Sequence, residues 1–301
     1  MTTALISTLS PILCGSAVLA ADKLQVDPAI ARELFRHSGN RYGSAIVKYG
    51  ALPSISFETP FLAAYNAFGF ATTKLTAFRY TFAKFLDFAK DPAATHDRWS
   101  LAAGCTAAAR IQRAVVNQRG LLMAEVQIVP LSSTDGMTHP LAESTAALDT
   151  LSAEPALHTL GPCSVETVKI NGVKNQGLDL GITLTGEPND GELYLRTVGE
   201  LESNPLLMGE HADPRTMLAS LGMIGHAITT SAIMYFRSID ATTGAALGTG
   251  LSMSIASGSI DPGMMRFSRA QIGTLGFGIQ PLSTTNTHPV VVNTSATMPA
   301  G

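Results

Sequence analysis

Two stretches of this sequence resemble each other: Gly120-Leu-Leu-Met-Ala-Glu-Val-Gln-Ile-Val-Pro-Leu-Ser132 and Gly273-Thr-Leu-Gly-Phe-Gly-Ile-Gln-Pro-Leu-Ser283. Each is followed by a His-Pro pair, His139-Pro140 after the first and His288-Pro289 after the second. The prolines inside the stretches, Pro130 and Pro281, are 151 residues apart in a chain of 301. A match at half the chain length indicates an internal repeat, which has to be recognised before any local pattern is interpreted.

Further matches follow in the same order along the two halves. Their offsets stay between 149 and 153 residues, as expected for a duplication with small changes in loop length. Chance alignment of sequence rich in Ala, Gly, Ser and Thr is the alternative, and the preserved order favours duplication. We therefore expect two related modules, residues 1–150 and 151–301. The matching positions are Gly39 to Tyr42 with Gly191 to Tyr194, Pro53 with Pro205, Ile55 with Leu207, Glu58 with Glu210, Gly69 with Gly222, and Trp99 to Leu101 with Leu251 to Met253.

Strand patterns dominate both modules. Residues 227–239 are rich in β-branched and aromatic side chains, and residues 193–201 alternate between apolar and polar, which is typical of strands. Residues 168–183 also alternate, with an Asn-Gly break that predicts a hairpin. Phe78, Phe82, Phe85 and Phe88 fit helical spacing as well, but the clearer second module favours a strand over residues 75–82.

One short helix is expected at the same place in each module. Asp213-Pro214 supplies a capping residue before a proline at the first helical position, and Gly222 suits the helix end. Thr59-Pro60 and Gly69 bound the equivalent segment in the first module. The sequence therefore predicts a mainly β protein with two tandem, related β-sandwich or barrel modules, each with one short flanking helix.

Composition excludes several classes of protein. Hydrophobic residues make up 46% and charged residues 14%, against about 25% charged in an average soluble domain. So apolar a chain is not disordered, and without an apolar run of about 18 residues it is not expected to span a membrane. The low charge points instead to surface buried in an obligate oligomer.

Charge is distributed unevenly. The net charge is −3, so a general basic footprint for nucleic acid is missing. Residues 1–150 hold 13 Lys and Arg against 11 Asp and Glu, and residues 151–301 hold 7 against 12. Three dispersed cysteines, Cys14, Cys105 and Cys163, do not suggest a disulfide framework or a zinc site and are expected to be reduced core residues.

Motifs for catalysis, cofactors or metals were not found, so we expect no enzyme activity, no cofactor and no metal site. Gly248-Thr-Gly250 lacks the third glycine and the helix of a dinucleotide-binding loop. His139 and His288 repeat before proline; a ligand or interface site is one interpretation, and a structural turn residue is the favoured one. Arg110, Arg113 and Arg119 are interpreted either as solvated strand ends or as contacts to an acidic surface on a neighbouring subunit.

An acidic cluster occurs only in the second module. Paired carboxylates or a metal site are one interpretation, and a solvated sheet face or loop is favoured. A third is the lining of a channel that repels nucleic-acid phosphates, although the first module lacks most of these charges. The cluster consists of Glu187, Asp190, Glu192, Glu200, Glu202, Glu210 and Asp213.

The turn at residues 127–136, Gln-Ile-Val-Pro-Leu-Ser-Ser-Thr-Asp-Gly, is echoed at residues 280–285 by Gln-Pro-Leu-Ser-Thr-Thr. With the strand modules and one helix in each, the chain resembles structural proteins of tailed bacteriophages, specifically the tail-tube superfamily. This resemblance implies a β-sandwich with a flanking helix that assembles into stacked rings. Some members carry duplicated domains and form trimeric rings with pseudo-hexagonal symmetry. No single residue is carried over as functional.

The implied function is a conduit for DNA ejection without catalysis. Its partners would be further copies of the chain in a ring or tube, a trimer imitating a hexamer, together with other virion proteins and DNA as passing cargo. The protein would be made in the bacterial cytoplasm and reside in the virion. The first 22 residues imitate a signal peptide but lack a basic start, so they are expected to belong to the fold.

Three other functions remain open. The first is another virion part of the same β type, such as a neck, baseplate or capsid-decoration protein. The second is an enzyme with an unrecognised site between the modules. The third is a secreted adhesin or carbohydrate-binding module, against which the single Trp and the 6% aromatic content count.

Overall fold

The structure is a computed structural model. It describes residues 10–27, 30–35, 45–51, 53–60, 64–65, 68, 70–82, 85–86, 89–90, 95–151, 156–170, 172–186, 188, 191–212, 214–222, 225–268, 271–283, 285 and 287–299. Strand predominates in the structure, at 64% against 3% helix, which confirms a mainly β fold of the sandwich type.

The strands and the helix follow one another along the chain with these bounds: β1 Ser10–Cys14, β2 Ala17–Asp27, β3 Ile30–Phe35, β4 Ala45–Ala51, β5 Ser54–Thr59, β6 Thr73–Leu75, β7 Phe78–Phe82, β8 Phe85–Leu86, β9 Ala89–Lys90, β10 His96–Leu101, β11 Thr106–Asn117, β12 Met123–Leu131, β13 Leu141–Ala146, β14 Ala156–Val165, β15 Val168–Ile170, β16 Val173–Asp179, β17 Thr183–Thr185, β18 Gly199–Glu202, β19 Leu206–His211, α1 Pro214–Leu221, β20 His226–Ile228, β21 Ala232–Asp240, β22 Ala246–Ile255, β23 Gly258–Ser268, β24 Gln271–Pro281 and β25 Val290–Thr297.

Two antiparallel sheets contain most of these strands. The large sheet has 14 strands in the order β13-β10-β7-β1-β2-β5-β12-β11-β16-β19-β24-β23-β20, with β6 also pairing with β11. The second sheet has the order β15-β14-β21-β22-β25. Three separate hairpins, β3–β4, β8–β9 and β17–β18, complete the strand pairings.

The two halves of the chain have the same order of strand pairings. In the first half the path runs β13-β10-β7-β1-β2-β5-β12-β11-β6. In the second half β25-β22-β21-β14-β15 is followed, after the break between β15 and β16, by β16-β19-β24-β23-β20. The division into two modules at residue 150 stays a prediction, and this correspondence supports it.

A strand pairing between the halves makes the large sheet continuous. Residues 113–117 of β11 pair antiparallel with residues 175–179 of β16, from Arg113 opposite Asp179 to Asn117 opposite Asn175. On its other edge β16 pairs with β19. We call the pairing of β11 with β16 the seam.

One hydrophobic core extends through both halves. It includes Ile12, Phe57 and Ile128 from the first half and Leu178 and Phe236 from the second, each at most 2% exposed. Strands β5 and β19 alternate between part-buried and buried residues, as expected for strands with one face on a core. The three cysteines are buried free thiols.

The second predicted helix is confirmed as α1, and Gly222 after it has a φ of 80°, the left-handed conformation common after a helix end. Asp213 lies outside the described residues. In the first predicted helix Ala64, Tyr65 and Phe68 are helical, and much of the rest lies outside them. The predicted strand over residues 75–82 is confirmed as β7, from Phe78 onward.

Two local predictions are wrong. Residues 168–183 do not form a hairpin, because β15 pairs with β14 whereas β16 pairs with β11 and β19. The Asn-Gly signal therefore marks the point where the chain passes between sheets, at Gly172 with a φ of 76°. Residues 193–198 form no strand beyond an isolated bridge at Tyr194; their apolar side chains pack on a sheet face instead.

No helix of the described residues combines the length and the apolar character needed to cross a membrane.

Candidate functional site

A row of charged side chains crosses the solvent-facing side of the large sheet. Glu58 of β5 lies opposite Asp22 of β2 and opposite Glu125 of β12. Glu125 in turn lies opposite Arg113 of β11, which lies opposite Asp179 of β16 across the seam. Directly opposed residues share one face of a sheet, so the row runs without interruption from the first half into the second.

The row is predominantly acidic. Glu58 and Glu125 are like charges in directly opposed positions, an unfavourable arrangement by itself. The Lys23 ammonium offsets it by donating to both carboxylate oxygens of Glu58, at 2.9 and 2.8 Å, and these bonds raise the pKa of Lys23 above its usual range. Glu210 joins the same face next to the seam, where Asn175 donates to its carboxylate at 2.9 Å.

Several strands are paired along only one edge within the described residues, namely β13, β15, β20 and β25, and so are segments of β2 and β23. Residues 22–27 of β2 pair with β5, while β1 pairs only with residues 17–21. In β23, β24 pairs along the whole strand, while β20 pairs only with residues 258–260. The second edge of each segment has no strand partner among the described residues, and such an edge is the usual template for pairing with another chain.

These two open edges are the counterparts of the two strands that pair at the seam. Strands β11 and β23 correspond residue by residue. Arg110 opposite Gln127 in the first half matches Asp261 opposite Gly278 in the second, at an offset of 151 residues. Residues 113–117 thus correspond to residues 264–268, and residues 175–179 correspond to residues 23–27. The edges of β23 and β2 thus have no strand partner among the described residues, whereas the corresponding edges of β11 and β16 pair with each other at the seam.

A hairpin from the second half covers part of the same sheet face in the first half. This covering hairpin consists of β17, β18 and the connection between them. Leu195 in the connection packs with Ala108, Val129 and Leu131 in a second, smaller hydrophobic cluster. The backbone N–H of Ser132 donates to the Leu195 carbonyl at 2.7 Å, so the hairpin is held by hydrogen bonds as well as by apolar contact.

Beneath the covering hairpin lies Arg110, which is 2% exposed. Its Nε and Nη2 donate to the Gln127 side-chain oxygen at 3.2 and 2.7 Å, and its Nη1 has no partner. Burial lowers the pKa of Arg110, and the charge of Glu200 on β18 acts in the opposite direction. Glu200 is itself fixed by the backbone N–H and the hydroxyl of Thr72.

The repeated histidines have the geometry of turn residues. Nδ1 of His139 accepts from the Leu141 N–H at 3.1 Å, and Nδ1 of His288 accepts from the Val290 N–H at 3.2 Å. The His139 ring also lies edge-on to Tyr194, with ring centres 5.2 Å apart. The two histidines thus brace equivalent loops, and His139 contacts the covering hairpin.

The structure does not gather the acidic cluster predicted from the sequence. Glu192 pairs with Arg196 at 3.0 Å, Glu200 accepts from Thr72, and Glu210 lies next to the seam. Glu202 is described only by its place in β18. The remaining three, Glu187, Asp190 and Asp213, lie outside the described residues. Within the described part of the chain no three His, Cys, Asp or Glu residues are arranged to hold a metal ion.

The three arginines have different surroundings. Arg119 is exposed in the turn after β11, as expected for a solvated strand end, whereas Arg113 is exposed but lies inside β11, opposite Asp179. The expectation is wrong for Arg110, which is buried beneath the covering hairpin of the same chain. Sequence reasoning also missed Asp22, Glu58, Glu125 and Asp179 as a row. They are far apart in sequence, and only the register of four strand pairings brings them together.

A comparison with models of known protein families found no match for this chain, and a search of curated proteins found none either.

Proposed function

We propose that the protein is a non-enzymatic virion protein that assembles with copies of itself, as a tail-tube subunit whose stacked rings conduct DNA. The observation that carries the proposal is the pair of open edges on β2 and β23. Because the corresponding edges of β16 and β11 pair with each other at the seam, a second copy offers the edges of β2 and β23 a partner of matching register.

Pairing of β23 in one copy with β2 in the next is a head-to-tail contact. Such heterologous contacts close into rings when the rotation between neighbours divides the circle evenly. If the contact between chains repeats the seam, two halves per chain become equivalent positions around the ring. Three chains would then imitate a six-membered ring, as the resemblance to duplicated tail-tube proteins implies.

The charges on the solvent-facing side of the sheet fit a conduit. Five carboxylates, Asp22, Glu58, Glu125, Asp179 and Glu210, lie on it with the cations of Lys23 and Arg113. On a surface that lines a channel, excess negative charge repels phosphates over about the 8 Å Debye length of physiological salt. Passing DNA would then not adhere.

Negative-stain electron microscopy of the full chain tests this proposal. We expect closed rings or hollow tubes with a regular axial repeat. Phe267→Pro should abolish them, because it places a residue without an N–H in the open edge of β23, at a position that the register with β24 skips.

Ala103→Pro is the matched control. Ala103 precedes Gly104, which has a φ of 76°, in an exposed turn where proline is compatible. It should assemble as the wild type does. A wild-type chain that stays monomeric at every concentration would refute the proposal, whereas rings that never stack would favour a neck or decoration protein over a tube.

A further inference from the structure

Hairpin β3–β4 of the first half occupies the same place in the chain order as the covering hairpin of the second half. Both connect the strand that carries the seam edge, β2 or β16, to the next strand of the sheet, β5 or β19. The segments have equal length, since Asp27 and Pro53 are separated by as many residues as Asp179 and Pro205. The covering hairpin has a defined docking surface on β11 and β12, and the equivalent surface for β3–β4 would be β23 and β24.

That equivalent surface is open within the described residues. Leu131, which the covering hairpin shields, is 6% exposed. Its counterpart Leu282, at the offset of 151 residues, is 61% exposed and is among the few large apolar side chains on the surface of the described residues. Ser259 and Gln280 replace Ala108 and Val129, so the second surface is more polar than the first.

Equivalent positions of the two halves carry opposite charges at this contact. Position 110 holds a buried arginine near Glu200 of the covering hairpin, whereas its counterpart is Asp261, an exposed acid. The counterpart of Glu200 in hairpin β3–β4 is Lys48, because Tyr42 with Tyr194 and Pro53 with Pro205 fix an offset of 152 residues on both sides of it. The buried Arg110 and the nearby Glu200 thus correspond in sequence to Asp261 and Lys48, at which the signs of the two charges are exchanged.

We propose that hairpin β3–β4 of one copy docks on β23 and β24 of a neighbouring copy, shields Leu282 there and places Lys48 opposite Asp261. This contact rests on the proposed self-assembly and identifies its partner surface. It supplements the edge pairing of β2 with β23, because both contacts bring the first half of one chain to the second half of another. Complementary charges of this kind fix register and exclude wrong partners.

Charge reversal tests the pair. Lys48→Glu and Asp261→Lys should each raise the concentration needed for assembly by at least about tenfold. The double variant, with the charges exchanged, should return to within about threefold of the wild type. Lys74→Glu and Glu143→Lys, reversals at exposed positions on β6 and β13, are the matched controls and should assemble normally.

Zero-length carbodiimide cross-linking supplies a direct readout. In an equal mixture of ¹⁴N- and ¹⁵N-labelled full-length chains, we expect Lys48–Asp261 links with mixed isotopes. The Lys23–Glu58 pair, 2.8 Å apart, gives links within one chain and serves as the internal control. Lys48→Arg keeps the charge and should remove the mixed link without impairing assembly.

The outcomes separate this contact from the proposed function. Assemblies that form without the mixed link and tolerate both charge reversals would overturn the hairpin contact and leave self-assembly standing. A chain that remains monomeric under all conditions would overturn both.

Discussion

Arg110 is the largest of the fully buried side chains in the described residues. Its guanidinium group donates hydrogen bonds to a side-chain amide oxygen rather than to a carboxylate. Burying a charge is costly unless hydrogen bonds satisfy it. Here the Gln127 oxygen accepts from Nε and Nη2 of Arg110 and also from the Gln112 amide at 3.2 Å. The Gln127 side-chain oxygen therefore accepts hydrogen bonds from three nitrogens under the covering hairpin.

Gln127→Leu should destabilise the protein by roughly 1–3 kcal/mol, because it leaves charged donors buried without an acceptor. The double variant Arg110→Met, Gln127→Leu should recover most of that loss, since the charge and its acceptor are removed together. Urea unfolding of the two single variants and the double variant measures the coupling. A Gln127→Leu protein as stable as the wild type would show that the bond to Arg110 contributes nothing.

His158 provides a pH-dependent prediction. Burial lowers its pKa from 6.5 to about 4, so the folded protein keeps it neutral while the unfolded chain protonates it. The contribution of neutral His158 to the free energy of unfolding is therefore fully present above pH 6.5. It decreases as the pH falls toward 4, by up to roughly 3 kcal/mol.

His158→Gln should flatten this part of the stability profile, which urea unfolding at pH 7, 5.5 and 4 would show. Equal pH slopes for the variant and the wild type would contradict this assignment.

The seam joins the two halves of the large sheet. Gly177 of β16 lies where β11 approaches closely: a Cβ there would be 2.4 Å from the Ala114 carbonyl oxygen and 2.9 Å from the Val115 Cα. These are backbone atoms of a paired strand and cannot move without disturbing the ladder. The glycine is thus required by the close approach of the two halves.

Gly177→Ala should loosen the seam, lower the melting temperature and speed hydrogen exchange of the Val115 to Asn117 amides. Gly248→Ala is the matched control, because a Cβ there meets nothing within 4 Å. Unchanged exchange at the seam in Gly177→Ala would mean that β11 and β16 are not held this closely.

The elements also show where sequence reasoning succeeds and where it fails. Helix α1 was predictable because its proline and its terminal glycine are local signals. The alternation over residues 193–201 wrongly predicted a strand at residues 193–198. Leu195 and Val198 pack on a sheet face, and a segment that packs on a surface can show the same alternation of apolar and polar residues as a strand. The acidic row required Glu58 and Glu125 to be opposed, and no local pattern encodes strand register.

At the scale of the whole molecule, the seam makes one sheet of two similarly connected halves, and the matching edges of β2 and β23 have no strand partner among the described residues. Open edges promote uncontrolled association unless they are covered, and the proposed pairing of β23 in one copy with β2 in the next would cover both of these edges. The low charge content and the contrast between a positive first half and a negative second half suit a head-to-tail partner.

A cryo-electron microscopy reconstruction of the assembled full chain tests head-to-tail edge pairing most directly. The predicted result is a closed ring in which residues 264–268 of each copy pair antiparallel with residues 23–27 of the next, so that one sheet continues around the ring. A ring or filament that leaves these two edges unpaired, or a chain that yields only monomers, would contradict the account.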